Sequence, residues 1–246
     1  MTQSNPFVAG FEARTSFARF NSYRKSGGTD HDAICRYLWN VAICESLYPI
    51  LQAFEISYRN ACHVAIGKAY GNAHWLRDPS AGGPSTLNAM ENQKIDDAEA
   101  EVGQRKPAIT EEFLVAELGF GFWSGLLNGH HATMWPLIIA SVFPHMPQVK
   151  RDQKTAAKTV EKIRRLRNAI AHHRSIWHWP DLADQHMALR EAQKWVCPHT
   201  ARVVLLIDRF PGVFSRGAEG FSDAAAKLQT QPLIQPGKPS LINYSI

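Results

Sequence analysis

The sequence predicts an all-α protein, and three observations carry that expectation. Apolar residues recur every three or four positions in several stretches, most clearly Leu51, Phe54, Tyr58, Cys62, Ala65 and Ala69. Cap residues and breakers stand between these stretches, among them Asp152, Asp181, Pro198 and the run from Ser26 to Asp30. No segment shows the strict alternation of a half-buried strand, and no internal repeat divides the chain. With 246 residues, 45% of them hydrophobic and 20% charged, the chain can bury a substantial core and fits a single domain. The expected organisation is a lead-in over 1–30, a helical domain over 31–210 and a loosely ordered tail over 211–246, rich in Gly, Pro and Gln.

Taken in order, Thr29 or Asp30 is placed to cap a helix over about 31–47, with Ile34, Tyr37, Leu38 and Val41 as its apolar positions. Pro49 suits the first turn of a second helix, where its missing N–H costs nothing, and Gly71 ends that helix. The turn-rich run 77–86 follows, with Ser85 as a candidate cap for a third helix carrying Leu87, Met90, Ile95, Ala98 and Val102. GQRKPAIT breaks that helix, and Thr110 starts another with Glu111 and Glu112 favourably placed near its positive end. Phe120-Gly121-Phe122-Trp123 turns into a short apolar helix, and Trp135 to Phe143 makes another before Pro144 and Pro147. Asp152 caps a long helix over about 152–172. Asp181 and Pro198 open the last two, which carry Leu182, His186, Leu189 and Val196, then Val203, Leu206, Ile207 and Phe210.

The chemistry concentrates at the end of the long helix, in EKIRRLRNAIAHHRSIWHW (161–179). Val160, Ile163, Leu166 and Ile170 form the apolar stripe, flanked by Arg164, Arg165, Arg167, Asn168, His172, His173 and Arg174. Nothing acidic lies between Glu161 and Asp181. Cations gathered at a helix end with two imidazoles suit an anionic ligand that also needs proton transfer. Arg167 and His172 are five residues apart, hence about 140° apart around an ideal helix. They share a cleft only if the helix ends near His172 or the cleft is broad, and a two-fold dimer that pools two such helix ends eases the difficulty.

Arg167-Asn168-Ala169-Ile170-Ala171-His172 fits the R-x(4–6)-H pattern of the HEPN superfamily, and RNAIAHHRSIW resembles the signature of its Abi-like, abortive-infection branch. Residues 39–66 with Glu55, Arg59 and Asn60, then Tyr70-Gly71, Trp75-Leu76 and FGFWSGLL (120–127), agree with that family in order, so the resemblance covers roughly 30–210. It implies a HEPN-like helical bundle with additional helices, acting as a homodimeric, metal-independent endoribonuclease in phage defence or as a toxin. Arg167, His172 and Asn168 are then the catalytic set, supported by His173, Glu55, Arg59 and Asn60. Arg164, Arg165, Arg174 and Trp177 would bind RNA, with an antitoxin or phage-derived trigger as a further partner. Arg174 departs from the family, where an acidic residue follows the histidine pair. Whether His172 or His173 does the chemistry stays open, and the alternative is a catalytically silent helical RNA-binding or dimerising module.

Other features bound the function. The net charge of +5 allows a polyanionic partner such as RNA without demanding one. Cys35, Cys44, Cys62 and Cys197 lie in apolar helical patterns at no metal-like spacing and read as core residues of a reducing compartment. The first residues lack a charged start followed by a long apolar run, and no stretch approaches about 18 uninterrupted apolar residues. A cytoplasmic protein with no signal peptide and no membrane span is therefore expected. Glu55, Arg59 and His63 recur every four residues, either as a row of surface pairs or as a support beside the signature helix. His130-His131 and the group His172, His173, His178 have no carboxylate or cysteine at matching spacing, so neither a metal nor a cofactor is expected. Most of the aromatics read as core; Trp177 and Trp179, directly after the signature, are the best candidates to stack on bases.

Overall fold

The computed structural model describes residues 5–25, 28–106 and 108–230. Among these, all regular structure is helical and no strand occurs, as the periodicity predicts. No helix among the described residues is long and apolar enough to cross a membrane. The chain divides into two compact units. One comprises residues up to Val41 together with those from Ser215 onward; the other runs from Ala42 to Phe214.

In the first unit, α1 (Pro6–Thr15) is capped by Asn5, whose side chain accepts the Phe7 N–H at 2.9 Å, and α2 (Phe17–Asn21) follows. Phe11 meets Phe20 and Tyr37 edge-on, and Arg24 forks between Glu12 and Asp30. The residues expected to form a loose tail are partly helical. After α11 (Phe210–Arg216) comes α12 (Ser222–Thr230), which packs on α1 and buries Ala225. Asn5 donates to the Gln229 carbonyl at 3.3 Å, and His31 meets the Ser222 hydroxyl at 3.0 Å. The helix itself, SDAAAKLQT, contains neither Gly nor Pro. Ser26 and Gly27 of the expected breaker, Pro107 of GQRKPAIT, and residues 231–246 of the tail lie outside the described residues.

The element that supplies the second unit's centre is α3 (Asp30–Tyr70), 41 residues long. Thr29 caps it reciprocally: its hydroxyl accepts the Asp32 N–H at 3.1 Å, and its own N–H donates to the Asp32 carboxylate at 2.8 Å. Pro49 does not start a new helix as expected; it lies inside this one. An interior proline costs about 3 kcal/mol. Leu47, Ile50, Leu51 and Phe54 on either side are all buried, each worth about 1.5–3 kcal/mol, and that outweighs the missing rung. Of the expected buried face, Leu51, Phe54, Tyr58, Cys62 and Ala65 are buried, while Ala69 at the fraying end is exposed.

Around α3 lie α4 (Ala89–Arg105), α5 (Glu111–Glu117), α6 (Phe120–Gly125), α7 (Trp135–Val142), α8 (Gln153–Ala171), α9 (Leu182–Val196) and α10 (Pro198–Leu205). Asn88, not Ser85, caps α4, in a capping box with Glu91, and Met90 is exposed. Thr110 and Asp152 cap α5 and α8 as expected. The core is aromatic: Tyr58 stacks on Phe143 and meets Phe120 edge-on, and Phe143 in turn contacts Trp135 and Trp195. The Tyr58 hydroxyl donates to the Trp123 carbonyl at 3.1 Å, and α8 packs on α6, α7 and α9.

One buried pair makes stability depend on pH. His186 is 3% exposed, stacks on Phe210 and places Nε2 2.9 Å from Asp208 Oδ2. Burial pushes its pKa below the ordinary value, Asp208 opposes that, and Arg190 adds to it. The unfolded histidine takes up its proton near pH 6.5, whereas the folded one resists until lower pH. Stability from this site is therefore complete above about pH 6.5 and is lost as the pH falls below it. Denaturant midpoints measured from neutral pH down to about pH 5.5 are expected to decline, with a shallower decline in His186→Gln.

Candidate functional site

The local sequence of α8 explains how it carries polar groups outward. Asp152 accepts the Thr155 N–H at 2.9 Å and starts the helix. Val160, Ile163, Leu166 and Ala169 are buried at spacings of three and four, which leaves Arg164, Arg165, Arg167 and Asn168 on the flank. The helix ends at Ala171, with His172 as its cap. The Arg174 N–H donates to the Ala169 carbonyl at 2.8 Å and the His173 N–H to the Ile170 carbonyl at 2.9 Å, the paired bonds of a Schellman end. His173 takes the left-handed position that this end requires, with φ 54°. The backbone stays helical up to this cap, so within one copy Arg167 and His172 still leave the helix about 140° apart.

Where α8 ends it faces α3 across an open cleft of about 320 Å³, walled by Tyr48, Glu55, Arg59, Arg167, Ile170 and Ala171 among others. Glu55 Oε2 accepts from Arg167 Nε at 3.2 Å. Among the described residues, the two Nη groups of Arg167 engage no protein partner. A guanidinium held through Nε keeps its terminal donors aimed, as binding to an anion's oxygens requires. Arg59 does not pair with Glu55 as a surface row would have it. Its Nη1 donates to the Ala116 carbonyl at 3.1 Å, while its buried Nε has no partner. The lining residues include one carboxylate, already engaged by Arg167, and no histidine or cysteine, so the cleft wall offers no metal-ligand set.

The other expected site residues divide. His172, His173 and Arg174 are exposed directly after the cleft-lining Ala171, and Asn168 is half-buried with its carbonyl accepting the His172 N–H at 2.9 Å. Arg164 and Arg165 are less available than the absence of nearby acids after Glu161 suggests. That one carboxylate binds both, at 2.7 and 2.9 Å, through the i,i+3 and i,i+4 geometry of the helix. Arg165 remains largely exposed. Asn60 lines a different depression, with Val64 and Lys68. Trp177 is a correction: it is 9% exposed and touches His178 edge-on, which leaves too little of its ring for a base to stack on. Its neighbour Ile176 is fully buried, so the segment turns inward after the helix end.

No family model, curated protein or solved structure matches this chain.

Residues with unusual surroundings also occur away from the cleft. Glu111, at the start of α5, is 4% exposed and accepts the Leu76 N–H at 3.0 Å, and its Oε2 has no hydrogen-bond partner. Burial pushes its pKa up, and burial likewise pushes that of His63 down. His63 Nδ1 and His74 Nδ1 each lie 3.9 Å from the carboxylate, beyond hydrogen-bond range. No local pattern announces this group, because its members come from α3, from the turn after it, and from α5.

Proposed function

We propose that this chain is a metal-independent endoribonuclease of the HEPN type, working as a homodimer in phage defence or as a toxin. One observation carries the proposal. Glu55 fixes Arg167 at the wall of an open cleft with its terminal donors unengaged, and the helix bearing it ends in the exposed His172.

In this mechanism a base takes the proton of a ribose 2′-hydroxyl and O2′ attacks the adjacent phosphorus. The P–O5′ bond breaks, and an acid protonates the departing O5′, leaving a 2′,3′-cyclic phosphate and a 5′-hydroxyl. Imidazole suits both proton transfers because its unperturbed pKa of about 6.5 lies near working pH. His172 of each subunit supplies one of them in the two-fold dimer. Arg167 stabilises the extra charge on the phosphorane oxygens, and Glu55 holds it in register. Tyr48 and Ile56, which line the cleft and are 60% and 40% exposed, are apolar surface that a second copy would cover. Arg165 and Arg174 extend the cationic surface for the RNA backbone.

The test is cleavage of total RNA and tRNA in EDTA by the wild type, Arg167→Ala and His172→Ala, with the oligomeric state followed by sedimentation. Cleavage by the wild type alone, yielding cyclic-phosphate ends, is the expected result. Strict dependence on added divalent metal, or equal cleavage by all three proteins, overturns the mechanism. RNA binding without cleavage by any of them favours the catalytically silent binding module instead.

A further inference from the structure

Adjacent histidines with no carboxylate nearby in sequence gave no reason to expect a metal at His130-His131. The fold supplies the missing carboxylate from α4. His131 Nε2 lies 3.0 Å from Glu91 Oε1, and His130 Nε2 lies 3.3 Å from the same oxygen and 3.4 Å from Oε2. The two rings, on the 3-10 turn Gly129–His131, approach to 3.9 Å between centroids, so they converge rather than diverge. All three donor atoms lie within 4.8 Å of one another.

Several features suit this group to a cation. Zn–N and Zn–O bonds of about 2.0–2.2 Å in a tetrahedral site place ligand atoms about 3.3 Å apart, close to the spacings observed. The outer contacts are those that orient ligands. His131 Nδ1 meets the Thr86 hydroxyl at 2.7 Å, which fixes the ring, and Glu91 Oε2 accepts the Asn88 N–H at 3.0 Å. Asn88 Oδ1 accepts the Glu91 N–H at 3.0 Å, which turns its Nδ2 toward His130 Nε2 at 3.2 Å. A nitrogen that accepts from Asn88 carries no proton, so His130 Nε2 holds a lone pair that a cation can take once that contact is given up. Exposure is graded as well: His131 and Glu91 are buried and His130 is exposed, leaving solvent access for a fourth ligand.

We infer that Glu91, His130 and His131 form a binding site for one borderline divalent transition ion of the Zn2+ class, with water as the fourth ligand. The ion clips the start of α4 to the 129–131 turn, two segments joined otherwise by hydrogen bonds. On coordination both Nε2 atoms bind the metal, His131 carries its proton on Nδ1 and donates it to Thr86, and the Asn88 amide gives up its contact with His130. These residues are not among those the proposed RNA chemistry uses, so the inference stands or falls independently of it.

The test is titration of the metal-free full chain with Co2+, followed by visible absorption and by displacement with Zn2+. One Co2+ per chain with the intense bands of a tetrahedral site is expected. His130→Ala, which removes an exposed side chain and spares the core, is expected to weaken binding at least tenfold, and Glu91→Gln likewise. Thr86→Val, which acts only through the orientation of His131, is expected to cost about 10–100-fold. A wild type that binds no Co2+, or one whose affinity is unchanged in His130→Ala, overturns the inference. Circular dichroism of each variant establishes that it is folded.

Discussion

His172→Ala is expected to slow RNA cleavage by about 10²–10⁴-fold, the range in which a positioned acid or base contributes. The substitution is a clean one. His172 is exposed, and what it contributes to the helix end is its backbone N–H, which bonds to the Asn168 carbonyl and survives the change. Arg167→Ala is expected to cost about 10²–10³-fold through lost stabilisation of the phosphorane. Glu55→Gln keeps shape and a hydrogen-bond acceptor but removes the charge that steadies Arg167, so its deficit is expected to be smaller, about tenfold. Single-turnover assays in EDTA read all three. Chelation would also strip an ion from Glu91, His130 and His131, so far-UV circular dichroism in the same buffer separates a chemical defect from a folding one. If His172→Ala cleaves as the wild type does while His173→Ala does not, the assignment passes to the neighbouring imidazole.

Trp123→Ala is expected to be the most destabilising single change in the larger unit, by about 3–5 kcal/mol. Trp123 is fully buried, meets Trp75 and Phe122 edge-on, and donates from Nε1 to the Leu118 carbonyl at 3.0 Å. Its own carbonyl receives the Tyr58 hydroxyl, which ties α6 to α3. Truncation opens a cavity and strands a buried carbonyl, two penalties that add. Against a total stability of about 5–15 kcal/mol, that loss is a large fraction. Urea or guanidinium midpoints measure it. A fall under about 1 kcal/mol would mean that the neighbouring aromatics close the gap.

What the sequence made legible was what local chemistry decides. The caps Thr110 and Asp152, the Pro198 start and the stripe Val160, Ile163, Leu166 need only a few neighbouring residues to act, and each lies where its pattern puts it. Pro49 misled because its cost is local while the burial that outweighs it comes from packing partners far along the chain. The helices Phe210–Arg216 and Ser222–Thr230 were hidden by a composition that suggests disorder. In the site, the end of α8 at Ala171 lies within a residue of the expected end at 172, where the apolar stripe runs out. The Glu55–Arg167 bond was one of several alternatives open on α3, and only the packing of α3 against α8 selects it. The burial of Trp177 and the meeting of Glu91 with His131 span the fold and leave no mark on any window of sequence.

The left-handed His173 has a consequence for how this helix end can have been selected. A side chain at φ 54° costs about 1 kcal/mol that glycine would not, so a chain shaped for durability alone would carry glycine there. Histidine at that point is a concession of stability, and concessions of this kind gather where a side chain is needed for its chemistry. Backbone stability and side-chain chemistry thus pull in opposite directions at a single residue. Glycine at this position would tighten the fold while removing an imidazole, so any accompanying loss of function could not be blamed on a weakened protein.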